Sequence, residues 1–162
     1  MHRSTSWALL VIGLCLLGLD IGSKRYVVEH FSSSGICVFR NWCGIDFSLE
    51  YVMNKGAAWG FFSSMQLALL WGRCAIILAL FAYLFFAKYS FLRNLALVSI
   101  LSGAVGNVLD FFIYGHVVDM FYFRLWGYSF PVFNIADSAI FCGVVLLFVS
   151  QGMSKEKRTS KE

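Results

Sequence analysis

The chain has 162 residues, of which 59% are hydrophobic and 14% charged, against about 45–50% and 25% in soluble domains. With 17 Phe and a single Pro, it carries more apolar surface than a water-soluble core of this size can bury, so the surplus is expected to face lipid. The net charge of +4 comes from 13 Lys and Arg against 9 Asp and Glu, with no dense basic run before the tail that follows Gly152, which argues against nucleic acid as a partner. Five scattered cysteines exclude a disulfide-rich scaffold. Cys15, Cys74 and Cys142 fall in apolar stretches and are expected to act as small buried hydrophobes.

A helix needs about 20 apolar residues to cross a bilayer, and four such runs occur, at about 7–26, 64–87, 92–114 and 133–149. Arg3 followed by Trp7 to Leu19 resembles the start of a cleavable signal peptide, but no A-x-A spacing follows, so the run is taken as an uncleaved first span. Seven basic residues (Arg3, Lys88, Arg93, Lys155, Lys157, Arg158 and Lys161) would lie inside if both termini are cytoplasmic, against five outside (Lys24, Arg25, Arg40, Lys55 and Arg124). That bias favours cytoplasmic termini and a cytoplasmic tail at about 153–162. The outer segments are then about 27–63 and 115–132, and the alternation in Ile45–Tyr51 predicts a strand or hairpin at the outer interface. The expected fold is an all-α membrane protein of four transmembrane helices with a small outer β/loop subdomain, forming one integral membrane domain over 1–162.

Each span admits an ionisable residue: Asp20, Arg73, Asp110 and Asp137. On this topology Asp20 lies near the outer end of span one, Asp110 about one turn before the outer end of span three, and Asp137 about one turn into span four. Each is therefore roughly 6–9 Å below the outer boundary, with Asp119 just beyond on an outer loop. A charged carboxylate in hydrocarbon costs at least about 2.5 kcal/mol, so such residues normally face the bundle interior and mark function. For Asp20, a solvated helix end paired with Lys24 at i,i+4 stands beside a functional role. Arg73 is expected to snorkel or to pair with a carboxylate, and Asp110 to bond Asn107 three residues back. Asp119 and Asp137 sit among polar or small residues, with Asn134 three positions before Asp137. Two carboxylates in close approach share a proton, one serving as base to a water while the other donates to a carbonyl. That chemistry is peptide hydrolysis without a metal. The three His residues form no H-E-x-x-H or H-x-x-E-H spacing, so neither metal nor cofactor is expected, and no G-x-S-x-G marks a serine nucleophile. The alternative is a small transporter or proton-conducting subunit, although transport sites lie nearer the midplane.

Four ordered motifs resemble those of the bacterial lipoprotein signal peptidases, or signal peptidase II. They are Asp20-Ile21-Gly22-Ser23-Lys24 (D-x-x-S-K), Asn54-Lys55-Gly56-Ala57-Ala58-Trp59-Gly60 (N-x-G-A-A-F-S), Ser102–Asp110 continuing through Gly115-His116-Val117-Val118-Asp119, and Phe133-Asn134-Ile135-Ala136-Asp137. The resemblance implies an aspartyl endopeptidase of the bacterial inner membrane, active near the outer face. It would cleave prolipoproteins just before their diacylglyceryl-cysteine. It implies Asp119 and Asp137 as the catalytic pair, and Asp20, Lys24, Asn54, Gly56, Asn107, Asp110 and Asn134 as residues that support the site or the substrate. Lipid-modified precursors and membrane lipids are the expected partners, and a monomer the expected state. Four positions depart from the pattern. Trp59 and Gly60 replace Phe and Ser, Met120 replaces Phe, and Phe111 stands where an Arg usually follows the aspartate, so a supporting ion pair is expected to be missing. Asp110 should then rest on hydrogen bonds from Asn107 and outer backbone amides, or be protonated. Gly103, Ala104 and Gly106 would admit close helix or substrate approach. Cys37 and Cys43, on the oxidising side, are expected to be able to form a disulfide.

Overall fold

The computed structural model describes residues 3–31, 35–56, 63–86 and 90–159; Ala57, Ala58, Trp59 and Gly60 of the second motif, and the expected end of span two at Ala87, lie outside them. The elements in chain order are α1 (Arg3–His30), β1 (Ile36–Trp42), β2 (Ile45–Asn54), a 3₁₀ turn (Ser63–Met65), α2 (Gln66–Phe86), α3 (Phe91–Tyr114), β3 (Val117–Leu125), β4 (Tyr128–Ser129) and α4 (Ile135–Thr159). Among the described residues, four stretches are long and apolar enough to cross a membrane: Trp7–His30, Gln66–Leu84, Phe91–Tyr114 and Ile135–Gly152. Phe81, Phe86, Phe141 and Phe148 point away from the bundle, which puts the apolar surplus where lipid would cover it.

The helices pack closely where side chains are missing. A Cβ on Gly103 would collide with the Ala136 carbonyl, and one on Gly143 would sit 2.7 Å from the Ala96 carbonyl, so α3 and α4 meet nearly backbone to backbone. Ser90 caps α3 by accepting from the Arg93 amide, and Gly115 ends it in the left-handed region at φ 76°, a conformation glycine adopts without steric cost. The chain turns there directly into β3.

The expected strand over Ile45–Tyr51 is part of a larger unit. The two outer segments join in one antiparallel sheet of order β1-β2-β3-β4. The register pairs Asp46 with Arg124, Phe47 with Phe123 and Val52 with Asp119. Between Leu49–Phe121 and Val52–Asp119 the register shifts, because β2 carries one extra residue there, the mark of a bulge. Opposite this bulge the Met120 and Phe121 amides both donate to the Phe133 carbonyl, at 3.0 and 2.8 Å. The sheet thereby grips the residue just before Asn134.

Helix α1 runs past the expected end of span one at Tyr26 because its last turns have a partner: Val27 and Phe31 are buried with Val118 and Met120 beneath the sheet. Asp20 therefore lies ten residues before the helix end, about 15 Å at 1.5 Å per residue, and not near it as expected. Two cysteine expectations also change. Cys15 and Cys142 are exposed on the outside of the bundle, and all five cysteines are free thiols. Cys37 and Cys43 are separated by the length of an extended strand, about 20 Å, far beyond the span of a disulfide.

Candidate active site

The site grows from the N-terminus of α4. Asn134 caps the helix by accepting from the Asp137 amide through Oδ1 at 2.8 Å, while Asp137 Oδ2 accepts from the Asn134 amide at 3.3 Å. This reciprocal capping box explains the expected three-residue spacing. The next free amide of that turn, Ala136, donates to Asp20 Oδ1 at 2.8 Å, so a carboxylate from α1 also meets the positive end of the α4 dipole. Gly106 makes this approach possible, since a Cβ there would come within 2.5 Å of Asp20 Oδ2.

Beneath the cap lies a buried charge cluster. The Lys24 ammonium is fully buried and reaches Asp20 Oδ2 at 2.7 Å, Asp110 Oδ2 at 2.8 Å and Asn107 Oδ1 at 3.1 Å. Its three protons match three acceptors. Two expectations are thereby corrected. Lys24 and Asp20 pair as their spacing suggests, but in the interior and not at a solvated helix end. Asp110 does have a cation despite Phe111: it comes from α1, one helix away, in place of the neighbouring residue in sequence. Asp110 also accepts the Val118 amide at 3.1 Å, which ties the end of α3 to the start of β3. Asn107 does not bond Asp110. Lying one turn deeper, its amide faces α4 instead and donates to Asp137 Oδ1 at 2.8 Å.

Asp119 stands on β3, in a strand where a loop was expected, and is buried. Its Oδ1 accepts from Asn134 Nδ2 at 2.7 Å and its Oδ2 from Asn54 Nδ2 at 2.9 Å. Asn134 Nδ2 also lies 3.1 Å from Asn107 Oδ1 and 3.2 Å from the Val118 carbonyl. Asn134 thus bonds both carboxylates, its side-chain Nδ2 donating to Asp119 Oδ1 and its backbone amide donating to Oδ2 of half-buried Asp137. Burial, and then the charge of Asp137, push the Asp119 carboxyl up to about 7, against the opposing bonds from Asn54 and Asn134. A cleft of about 480 Å³ opens at Asp119 and is lined by Val52, Asn54, Tyr122, Phe130 and Val132 among others.

The remaining expected positions fall around this cluster. The Gly56 amide donates to Asn54 Oδ1 at 2.9 Å, which fixes the Asn54 amide group with its NH₂ towards Asp119. Arg73 pairs with no carboxylate among the described residues: its Nη2 donates to the Gly56 carbonyl at 3.0 Å. His116 was given no role in the sequence. It is buried and shares a 3.0 Å hydrogen bond with the Tyr51 hydroxyl in the β2 bulge, and burial lowers its pKa. No local pattern announces that contact, because its partner is 65 residues away.

The family model for signal peptidase (SPase) II matches residues 12–152 of the chain. The chain belongs to the signal peptidase II family. Membership makes it a peptide-bond hydrolase of the bacterial inner membrane, crossing it several times, and it displaces the transporter reading. The lipoprotein signal peptidase of Chlamydia pneumoniae is 40% identical over 152 residues, covering 90% of this chain and 88% of that protein. Those of Gloeothece citriformis (38% over 159 residues; 96% and 95% covered) and Burkholderia ambifaria (45% over 142 residues; 85% and 83% covered) are similarly close. Among solved structures, a bacterial membrane enzyme determined by the in meso method at 2.3 Å resolution superimposes with a TM-score of 0.79 at 26% identity, covering 96% of this chain and 91% of that one.

Proposed function

We propose that the chain is an aspartyl endopeptidase that removes the signal peptide from lipid-modified prolipoproteins, cutting just before the diacylglyceryl-cysteine, with Asp119 and Asp137 as the catalytic pair. The observation that carries this reading is the link through Asn134, whose side-chain amide donates to the Asp119 carboxylate and whose backbone amide donates to the Asp137 carboxylate, beside an open cleft. Asp20, Lys24, Asn54, Gly56, Asn107, Asp110 and Asn134 serve as supporting residues, holding the pair and the α4 cap in place. The whole chain acts as one domain, with both termini cytoplasmic and the site facing outward.

Asp119, the more buried member and the one pushed up, keeps the shared proton and donates it to the scissile carbonyl oxygen. Asp137 takes a proton from the attacking water as its oxygen bonds to the carbonyl carbon. In the second half Asp137 returns that proton to the departing nitrogen of the modified cysteine. The C–N bond breaks and Asp119 recovers its proton from the collapsing diol. The signal peptide leaves with a new carboxylate and the mature lipoprotein with a free amine. The test is incubation of the purified chain with a diacylglyceryl-modified precursor, followed by mass spectrometry of both products. Cleavage before the modified cysteine, unaffected by chelators, is expected. Cleavage at another bond, equal cleavage of the unmodified precursor, or dependence on an added metal would overturn the proposal.

A further inference from the structure

Helix α2 carries a single charged side chain, Arg73, in 21 residues. It is the most peripheral span: 6% of its apolar window is buried inside the bundle, against 44% for α3. A charge on such a helix is costly in lipid and marks function when it finds an interior partner. Arg73 has one. Its guanidinium donates to the Gly56 carbonyl, the Gly56 amide donates to Asn54 Oδ1, and Asn54 Nδ2 donates to Asp119 Oδ2, at 3.0, 2.9 and 2.9 Å. Three successive hydrogen bonds therefore connect the outermost span to a carboxylate of the pair. Asn54 is the last residue of β2, where the sheet no longer fixes the backbone that follows, and Gly56 has no side chain with which to fix itself. Without the guanidinium, the Gly56 carbonyl loses that donor, and because glycine has no Cβ to restrict its φ and ψ, the Gly56 amide that holds Asn54 towards Asp119 is less firmly placed.

We propose that Arg73 is a positioning residue of the reaction, acting through Gly56 and Asn54 to orient the Asp119 carboxylate. The inference rests on the catalytic pair proposed above. It explains why a polar group stands in an otherwise apolar span, and why its hydrogen bond ends on a backbone carbonyl and not on a carboxylate that would neutralise it.

The test is precursor cleavage by the full-length protein in one detergent, comparing wild type, Arg73→Met, Arg73→Lys, Asn54→Ala and the Arg73→Met/Asn54→Ala double variant. Misplacing a catalytic group by about 1 Å costs up to about 100-fold, so Arg73→Met should lower kcat about 10- to 100-fold with KM changed less than about threefold. Because the Asn54 bond holds the Asp119 proton less tightly, weakening it should move the alkaline limb of the rate profile upward. Arg73→Lys, which keeps a donor, should recover most of the rate. The double variant should be no slower than Asn54→Ala, since both changes cut one path. Wild-type rates in Arg73→Met with an unmoved pH limb, or losses that multiply in the double variant, would overturn the inference. If Arg73→Met does not fold, Arg73→Gln replaces it in the same cycle. Retained cleavage in Asp119→Asn would instead overturn the catalytic pair itself, which separates the two failures.

Discussion

Replacing Lys24 with Met keeps the length of the side chain, removes its charge, and leaves Asp20 and Asp110 as buried carboxylates without a cation. Both are almost fully buried, and the ammonium stands 2.7 and 2.8 Å from them. The Val118 and Ala136 amides remain as partners, but neither neutralises charge. Removing one partner from a buried ion pair typically costs about 3–5 kcal/mol. For a chain of this length each kcal/mol moves the midpoint by about 2–4 °C, so Lys24→Met should unfold about 6–20 °C below wild type in the same detergent, measured by thermal denaturation followed by circular dichroism. The decisive comparison is the triple variant Lys24→Met/Asp20→Asn/Asp110→Asn. Replacing a whole buried ion cluster by neutral groups is far less damaging than orphaning part of it, so the triple should melt above the single. A single variant within about 2 °C of wild type, or a triple that melts below the single, would refute the view that the ammonium neutralises two carboxylates at once.

Four further outcomes are expected. With Asp119 pushed up to about 7 and its proton needed for the first step, kcat/KM should fall as pH rises through about 7; a profile flat from pH 6 to 9 would contradict this. The same group should lend folding stability that is full below its ordinary value near 3.8 and lost as pH rises to about 7. This should appear in Asp119→Asn as a weaker decline in melting temperature across that window. Gly103→Ala, whose Cβ meets the Ala136 carbonyl, should destabilise by about 1–3 kcal/mol, whereas Gly72→Ala, with nothing within 4 Å, should melt as wild type or higher. Finally, exposed Cys37 and Cys43 should both be alkylated without prior reduction by a membrane-impermeant reagent in spheroplasts. Protection of both would contradict an outward-facing sheet.

The four spans were readable because each is a long apolar run set between charges or polar segments; that Gly115 ends α3 and Asn134 caps α4 came from the structure. The candidate site positions stood out because carboxylates and asparagines interrupt those runs. What local pattern could not supply is which of them touch. Lys24 is one turn from Asp20 in sequence, yet its second carboxylate, Asp110, is on another helix, so the apparent loss of a cation at Phe111 proved to be a change of donor. The pairing of the two outer segments is likewise non-local, and its periodicity specifies strands but no partner. The extension of α1 follows from it, since Val27 and Phe31 have nothing to bury against until β3 lies over them. Arg73 was visible as an anomaly in an apolar span. Its target was not, because a backbone carbonyl leaves no trace in sequence.

The most direct test of the catalytic pair is cleavage of a diacylglyceryl-modified precursor by folded Asp119→Asn and Asp137→Asn proteins, with the double variant alongside. The substitution is nearly isosteric and keeps an acceptor oxygen, so it removes proton transfer with little change in packing. Loss of general acid–base function costs about 10²–10⁴ in rate. Each single variant should therefore retain less than about one hundredth of wild-type cleavage, and the double should be hardly slower, because the two carboxyls act as one unit. Retention of more than about a tenth of the wild-type rate in either folded single variant would contradict the pair.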